Sequence, residues 1–103
     1  MNVRVLLVDD ERAFVDVLAE RLETRGFDVS VVGSGEEAVA KISEQKIDVV
    51  VLDVVMPGMG GIETLRRIKA ESPMVEVLLL SGHATVETAI EGMKIGEIGR
   101  ASC

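Results

Sequence analysis

Val3-Arg4-Val5-Leu6-Leu7-Val8-Asp9-Asp10-Glu11 is a nearly unbroken apolar run that stops abruptly at three carboxylates. Val3 to Val8 is short, rich in β-branched residues and apolar at successive positions, the pattern of a strand covered on both faces. From Arg12 to Arg25 the spacing becomes helical. Phe14, Val15, Leu18, Ala19 and Leu22 fall on one stripe. Gly26 stands just past its end, where a left-handed cap is expected. A buried strand passing into an amphipathic helix across an acidic junction decides the fold, because the same change of period recurs.

Phe27 to Val32 reads as a second strand. Ser34-Gly35-Glu36-Glu37 has the Ser-x-x-Glu spacing of a capping box, and a helix follows through Ala38, Val39 and Ile42 to about Gln45. Ile47 to Leu52 is a third strand, ended by Asp53. Met56-Pro57-Gly58-Met59-Gly60-Gly61 breaks regular structure and reads as a loop. Ile62, Leu65 and Ile68 mark a third helix that ends near Ser72-Pro73. Val75 to Leu80 is a fourth strand, and a fourth helix runs from about Thr85 through Ala89, Ile90 and Met93. Strand and helix thus alternate four times. That order predicts an α/β fold, a doubly wound parallel sheet with helices on both faces.

Bulk properties narrow the function. A chain of 103 residues fits one small domain. Eleven basic against 18 acidic residues give a net charge of −7. That field opposes direct nucleic-acid binding and anionic membrane surfaces, and suits divalent cations and basic partners. No segment reaches the roughly 18 apolar residues of a membrane span. The start of the chain has no signal-peptide pattern. One cysteine, Cys103, allows no internal disulfide, so a reducing cytoplasm is the expected location. Phe14 and Phe27 are the only aromatic residues, which leaves no platform for stacking bases.

In open parallel sheets, ligands bind beyond the carboxyl ends of the strands, near the point where strand order reverses. Here those ends carry Asp9 and Asp10 after the first strand, Asp53 after the third and Ser81 after the fourth. A flavodoxin-like order, 2-1-3-4, makes the first and third strands neighbours and brings three carboxylates together. Such a cluster is costly unless a cation relieves it. Mg²⁺ is the natural one: a hard ion that takes oxygen ligands, often one or two carboxylates plus a substrate phosphate. A carboxylate beside it can attack a phosphoryl group. Each residue alone also has a structural explanation. The Asp pair could cap a helix, Asp53 and Ser81-Gly82 could be turn residues, and Thr85 could cap the next helix. Their joint position at successive strand ends favours a site.

The chain resembles the receiver domains of two-component response regulators. The resemblance is carried by Leu6-Leu7-Val8-Asp9-Asp10-Glu11, by Val51-Leu52-Asp53-Val54-Val55-Met56-Pro57-Gly58-Met59-Gly60-Gly61, and by Leu79-Leu80-Ser81-Gly82-His83. Ala89-Ile90-Glu91-Gly92-Met93-Lys94-Ile95-Gly96 is also similar. The resemblance implies that Asp53 is the phosphoacceptor, taking its phosphoryl group from a sensor histidine kinase. It implies that Asp10, Asp53 and the backbone carbonyl of Val55 bind Mg²⁺, with Asp9 acting through metal-bound water. Ser81 becomes the switch hydroxyl, and Val55 and His83 modulate the lifetime of the phosphoryl group. His83 has no second ligand in sequence that would make it a metal site.

The match covers about Val3 to Gly96. The expected domain is therefore 1–96, an incomplete receiver, with 97–103 an atypical tail that reads as foreign to it. Glu97-Ile98-Gly99-Arg100-Ala101-Ser102-Cys103 has no Lys, aromatic residue or Pro. A fifth strand and fifth helix are expected to be absent, and with them the family's phosphate-facing Lys. Lys94, the nearest, falls within the fourth helix. Two functions stay open: a phosphoacceptor, or a degenerate receiver that serves as an interaction or dimerisation module. The fourth-strand edge (75–81) and the fourth helix are the expected route to a homodimer. A Mg²⁺-dependent phosphatase would want a second carboxylate at position 55, which is Val. At most, self-phosphorylation and autodephosphorylation are expected of it as catalysis.

Overall fold

The computed structural model describes residues 2–53 and 60–80. It contains β1 (Arg4–Val8), α1 (Arg12–Thr24), β2 (Asp28–Val32), α2 (Gly35–Glu44), β3 (Val49–Asp53), α3 (Gly61–Glu71) and β4 (Glu76–Leu80). Every strand pair is parallel, and the order is β2-β1-β3-β4. The expected α/β sheet and its order are both found. The predicted fourth helix and the segment 97–103 lie outside the described residues.

Side chains alternate across a strand, so the two central strands feed two separate cores. Val5 and Leu7 of β1 and Val49 and Val51 of β3 pack with Val15, Leu18 and Leu22 of α1. Leu6, Val8, Val50 and Leu52 pack on the other face with Ala38 and Ile42 of α2 and Ile68 of α3. Both faces being covered explains why β1 and β3 are apolar at consecutive positions. Each such side chain, fully buried, contributes about 1.5–3 kcal/mol relative to exposure. The outer strands β2 and β4 each have one neighbour among the described residues, and their residues are only partly buried.

The ladder starts later than the apolar pattern predicts. Val3, Phe27, Ile47 and Val75 all precede their strands, yet Val3 and Phe27 pack against the α1-side core and Ile47 and Val75 are buried in the other. Hydrophobicity reports burial, and these residues are wholly or partly buried ahead of the regular ladder.

Gly26 ends α1 as expected, with φ +93°. Its N–H donates to the Glu23 carbonyl at 3.0 Å, and the Phe27 N–H donates to the Leu22 carbonyl at 3.1 Å. This is a Schellman closure, which satisfies carbonyls that the helix leaves free. At α2, the Ser34 hydroxyl oxygen accepts from the Glu37 N–H at 3.2 Å. The Glu37 carboxylate reaches back to the Gly33 N–H at 3.0 Å, one residue earlier than a strict capping box.

One helix stripe needs correction. Ile62 was expected on the core face of α3 but is 54% exposed. The buried positions are Gly61, Thr64 and Ile68, with Leu65 partly buried beside them. Ile62 stands about a third of a turn from Ile68, which turns it outward. Thr64 takes an inward place because its hydroxyl donates to the Gly60 carbonyl at 2.6 Å, leaving no polar atom unpaired.

Candidate functional site

Register explains how two distant aspartates meet. Val8 of β1 lies opposite Leu52 of β3. The next residue on each chain is an aspartate, so Asp9 and Asp53 leave the sheet side by side at its carboxyl edge. Asp10 follows at once. Ligand oxygens of Asp9, Asp10 and Asp53 all lie within 4.8 Å of one another. The structure therefore assembles the predicted acidic triad. Ser81, Val55 and His83 fall outside the described residues.

The three carboxylates differ in environment: Asp9 is buried, at 8% exposure, Asp53 is half-buried and Asp10 is exposed. The Asp9 carboxylate accepts a hydrogen bond from the Glu11 N–H at 2.9 Å, and the Asp9 N–H donates to the Val32 carbonyl at 3.2 Å. The side chain is thus tied to the start of α1 and the backbone to the end of β2. Helix capping does not account for the pair. The N-cap of α1 is Glu11, and it makes no side-chain cap bond.

Burial pushes the Asp9 carboxyl up to about 6, against the opposing pull of the Glu11 N–H. The nearby charges of Asp53, Asp10 and Glu11 add to the rise. Most of this rise is the cost of burying the charged form, and the neighbouring carboxylates add to it. Oxygen donors on two strand ends, mutually repelling and open on the Asp10 side, fit a hard divalent cation.

Sequence reasoning missed the Glu11 N–H as the group that holds Asp9. The signal was available, since an Asp side chain commonly accepts from the backbone N–H two residues on. It also did not separate the three carboxylates by burial, which depends on the packing of β2 and α1 around Asp9.

Fold and site together define a parallel α/β domain with an acidic cluster at the carboxyl edge of its sheet, and comparison with known proteins gives the family. A family model described as the response regulator receiver domain matches residues 5–99. The chain belongs to this family. It is 38% identical over 97 residues to the transcriptional regulatory protein ZraR of Escherichia coli K12, an alignment covering 94% of this chain and 22% of that protein. Among solved structures, a CheY-like receiver domain protein from Methanospirillum hungatei superposes with a TM-score of 0.78 at 26% identity. That match covers 91% of this chain and 75% of the other. The response regulator TrrA of Thermotoga maritima, solved in complex with Mg²⁺-BeF, matches with a TM-score of 0.74 at 33% identity. It covers 80% of this chain and 71% of that one. The chain spans about a fifth of the length of ZraR. Such relatives are named as transcriptional regulators, so they lend no support to the expectation that nucleic acid plays no part. Among the described residues no helix is long and apolar enough to cross a membrane.

Proposed function

We propose that this chain is a phosphoacceptor: Asp53 takes a phosphoryl group from a phosphohistidine of a sensor histidine kinase. The observation that carries this reading is the meeting of Asp9, Asp10 and Asp53 oxygens within 4.8 Å at one sheet edge. An Asp53 carboxylate oxygen forms a bond to phosphorus as the phosphorus–nitrogen bond of the donor breaks, and the imidazole leaves. Asp10 and Asp53, with the Val55 carbonyl, would hold Mg²⁺, and Asp9 would hold its water. Bound there, the ion supplies charge neutralisation for the incoming phosphoryl oxygens. Asp9, fixed by the Glu11 N–H, keeps its carboxylate turned into the cluster. Ser81 is assigned the hydrogen bond to a phosphoryl oxygen, and Val55 and His83 the modulation of lifetime.

The Mg²⁺-BeF complex of TrrA supports the metal assignment. The acidic surface suits a kinase partner with a basic docking face, and the lone Cys103 suits a reducing cytoplasm.

The test is incubation with acetyl phosphate and Mg²⁺, read by intact mass. One phosphoryl adduct is expected on the wild type and none on Asp53→Asn. An adduct that persists in Asp53→Asn would reject the assignment. No adduct on either protein, with no spectroscopic response to beryllofluoride, would favour an interaction module without phosphoryl chemistry.

A further inference from the structure

One peptide group links the start of α2 to the acidic site. β2 ends at Val32, and the peptide between Val32 and Gly33 is held at both of its polar ends. Its carbonyl accepts from the Asp9 N–H at 3.2 Å. Its N–H donates to the Glu37 carboxylate at 3.0 Å. The peptide is planar and trans, so these two ends point in opposite directions. β1 thus holds one side of the peptide, and the first turn of α2 holds the other.

Each hold has a physical reason. Asp9 is buried, where an unpaired N–H would be costly, and the Val32 carbonyl is its acceptor. The Glu37 oxygen that receives the Gly33 N–H, Oε1, also accepts from the Ser34 hydroxyl at 3.2 Å, which fixes its aim. Glu36 and Glu37 both stand in the first turn of α2, where negative charge suits the helix dipole. Either would serve that purpose. A strict capping box would turn Glu37 back to the Ser34 N–H. It goes instead to the peptide that Asp9 uses. A carboxylate on the N–H polarises that peptide and makes its carbonyl a stronger acceptor.

We propose that Glu37 is a positioning residue for the acidic site: through the Val32–Gly33 peptide it fixes the backbone of Asp9, and so the point from which the Asp9 carboxylate reaches the cluster. Glu37 is not one of the three clustered carboxylates, and it acts on them through one peptide group. This inference rests on the reading of the cluster as a Mg²⁺ site that serves phosphoryl transfer. Groups bonded directly to metal ligands change metal affinity by about 10–100-fold. Glu37 stands one peptide further out and its bond to Gly33 is exposed, so an effect of about three- to tenfold is expected.

Amide spectra of the isotope-labelled chain, recorded without metal and then through a MgCl₂ titration, test this. Glu37→Ala removes the acceptor. Without metal, its Asp9 amide proton should move upfield and exchange faster with solvent, and its Mg²⁺ affinity should fall about three- to tenfold. Glu37→Asp keeps the charge but is one carbon too short to reach Gly33. It should lose affinity as the alanine variant does, and it supplies the comparison if Glu37→Ala does not fold. Glu37→Gln keeps a carbonyl acceptor without the charge and should recover most of both properties. Ser34→Ala removes the α2 cap and leaves the Gly33 bond, so it should lower stability while the Asp9 amide and the Mg²⁺ affinity stay near those of the wild type. An Asp9 amide unmoved in Glu37→Ala and Glu37→Asp, or undiminished Mg²⁺ affinity in both, would overturn the proposal. So would a loss in Glu37→Gln as large as in Glu37→Ala, which assigns the effect to charge. A wild type that binds no Mg²⁺ would reject the metal reading of the cluster instead, and the Asp9 amide would still decide whether Glu37 positions it.

Discussion

Val8 of β1 and Leu52 of β3 are register partners in a parallel pair, and each is followed directly by an aspartate. This one pairing brings residues 44 positions apart in sequence to a shared edge, with Asp9 and Asp53 oxygens within 4.8 Å. Both partners are fully buried, in the core shared with α2 and α3. The strand ends cannot slip without moving apolar side chains out of that core, since a one-residue slip turns each to the opposite face. The core therefore holds the site together against its own charge repulsion.

Burial of the Asp9 carboxyl, with the neighbouring charges added, gives a stability prediction. Asp9 titrates near 6 when folded, above its ordinary 3.8. A raised folded pKa means that the folded state binds the proton more tightly than the unfolded chain. Asp9 therefore favours folding below about pH 4, and this contribution is lost as the pH rises through 6. Without metal, Asp9→Asn should stabilise the protein at pH 7 by about 1–2 kcal/mol. The gain should shrink toward pH 4. Urea denaturation of both proteins at pH 7 and pH 4.5 checks it. An equal difference at the two pH values would contradict the assignment.

Magnesium binding should oppose protonation at the same place. An ion that binds the folded chain alone raises its melting temperature in proportion to the logarithm of its concentration. The rise should be clear at pH 7.5 and should fade as the pH drops below 6, where Asp9 takes up its proton. Asp10→Asn, at an exposed position, should weaken the ion by about tenfold while leaving the metal-free melting temperature nearly unchanged. Thermal shift against MgCl₂ measures both. Calcium and sodium chloride controls separate binding from general screening.

How much was legible in the sequence follows from which interactions are local. The sheet covered on both faces could be read because β1 and β3 are apolar at consecutive positions, which burial on both faces explains. The ends of α1 and α2 could be read because Gly26, Ser34 and Glu37 act within one turn of their helices. The acidic triad needed strand order as well, a property of the whole sheet, and the flavodoxin-like order expected of alternating strands and helices supplied it. Ile62 misled because an apolar residue in the first turn of a helix need not face the core. The different burial of Asp9, Asp10 and Asp53 was not readable, since it depends on how α1 and β2 pack around the strand end.

The α2 cap offers a separate check. The Ser34 hydroxyl oxygen accepts from the Glu37 N–H, and its proton is directed at the Glu37 carboxylate, 3.2 Å away. Ser34→Ala removes both contacts and should cost about 1 kcal/mol. Ser34→Asp should recover less than Ser34→Asn, because a carboxylate there faces Glu37. Chemical denaturation of the three variants tests the ranking. No loss on Ser34→Ala would mean that water replaces the cap without penalty.

Leu52 and Leu79 face each other across β3 and β4, yet they should respond very differently to truncation. Leu52 is fully buried between the sheet and the α2–α3 layer, while Leu79 is 40% exposed on the outer strand. Leu52→Ala leaves a cavity that surrounding residues cannot fill, at a cost of about 2–5 kcal/mol. For a domain of this size that is a large share of the total, about 5–15 kcal/mol. Leu79→Ala loses only part of its contact with the core and should cost less than about 1.5 kcal/mol. Urea denaturation midpoints of the wild type and both variants measure the two losses. Leu52→Ala should show the larger loss, and equal losses would mean that the burial contrast between the two positions does not set their contribution.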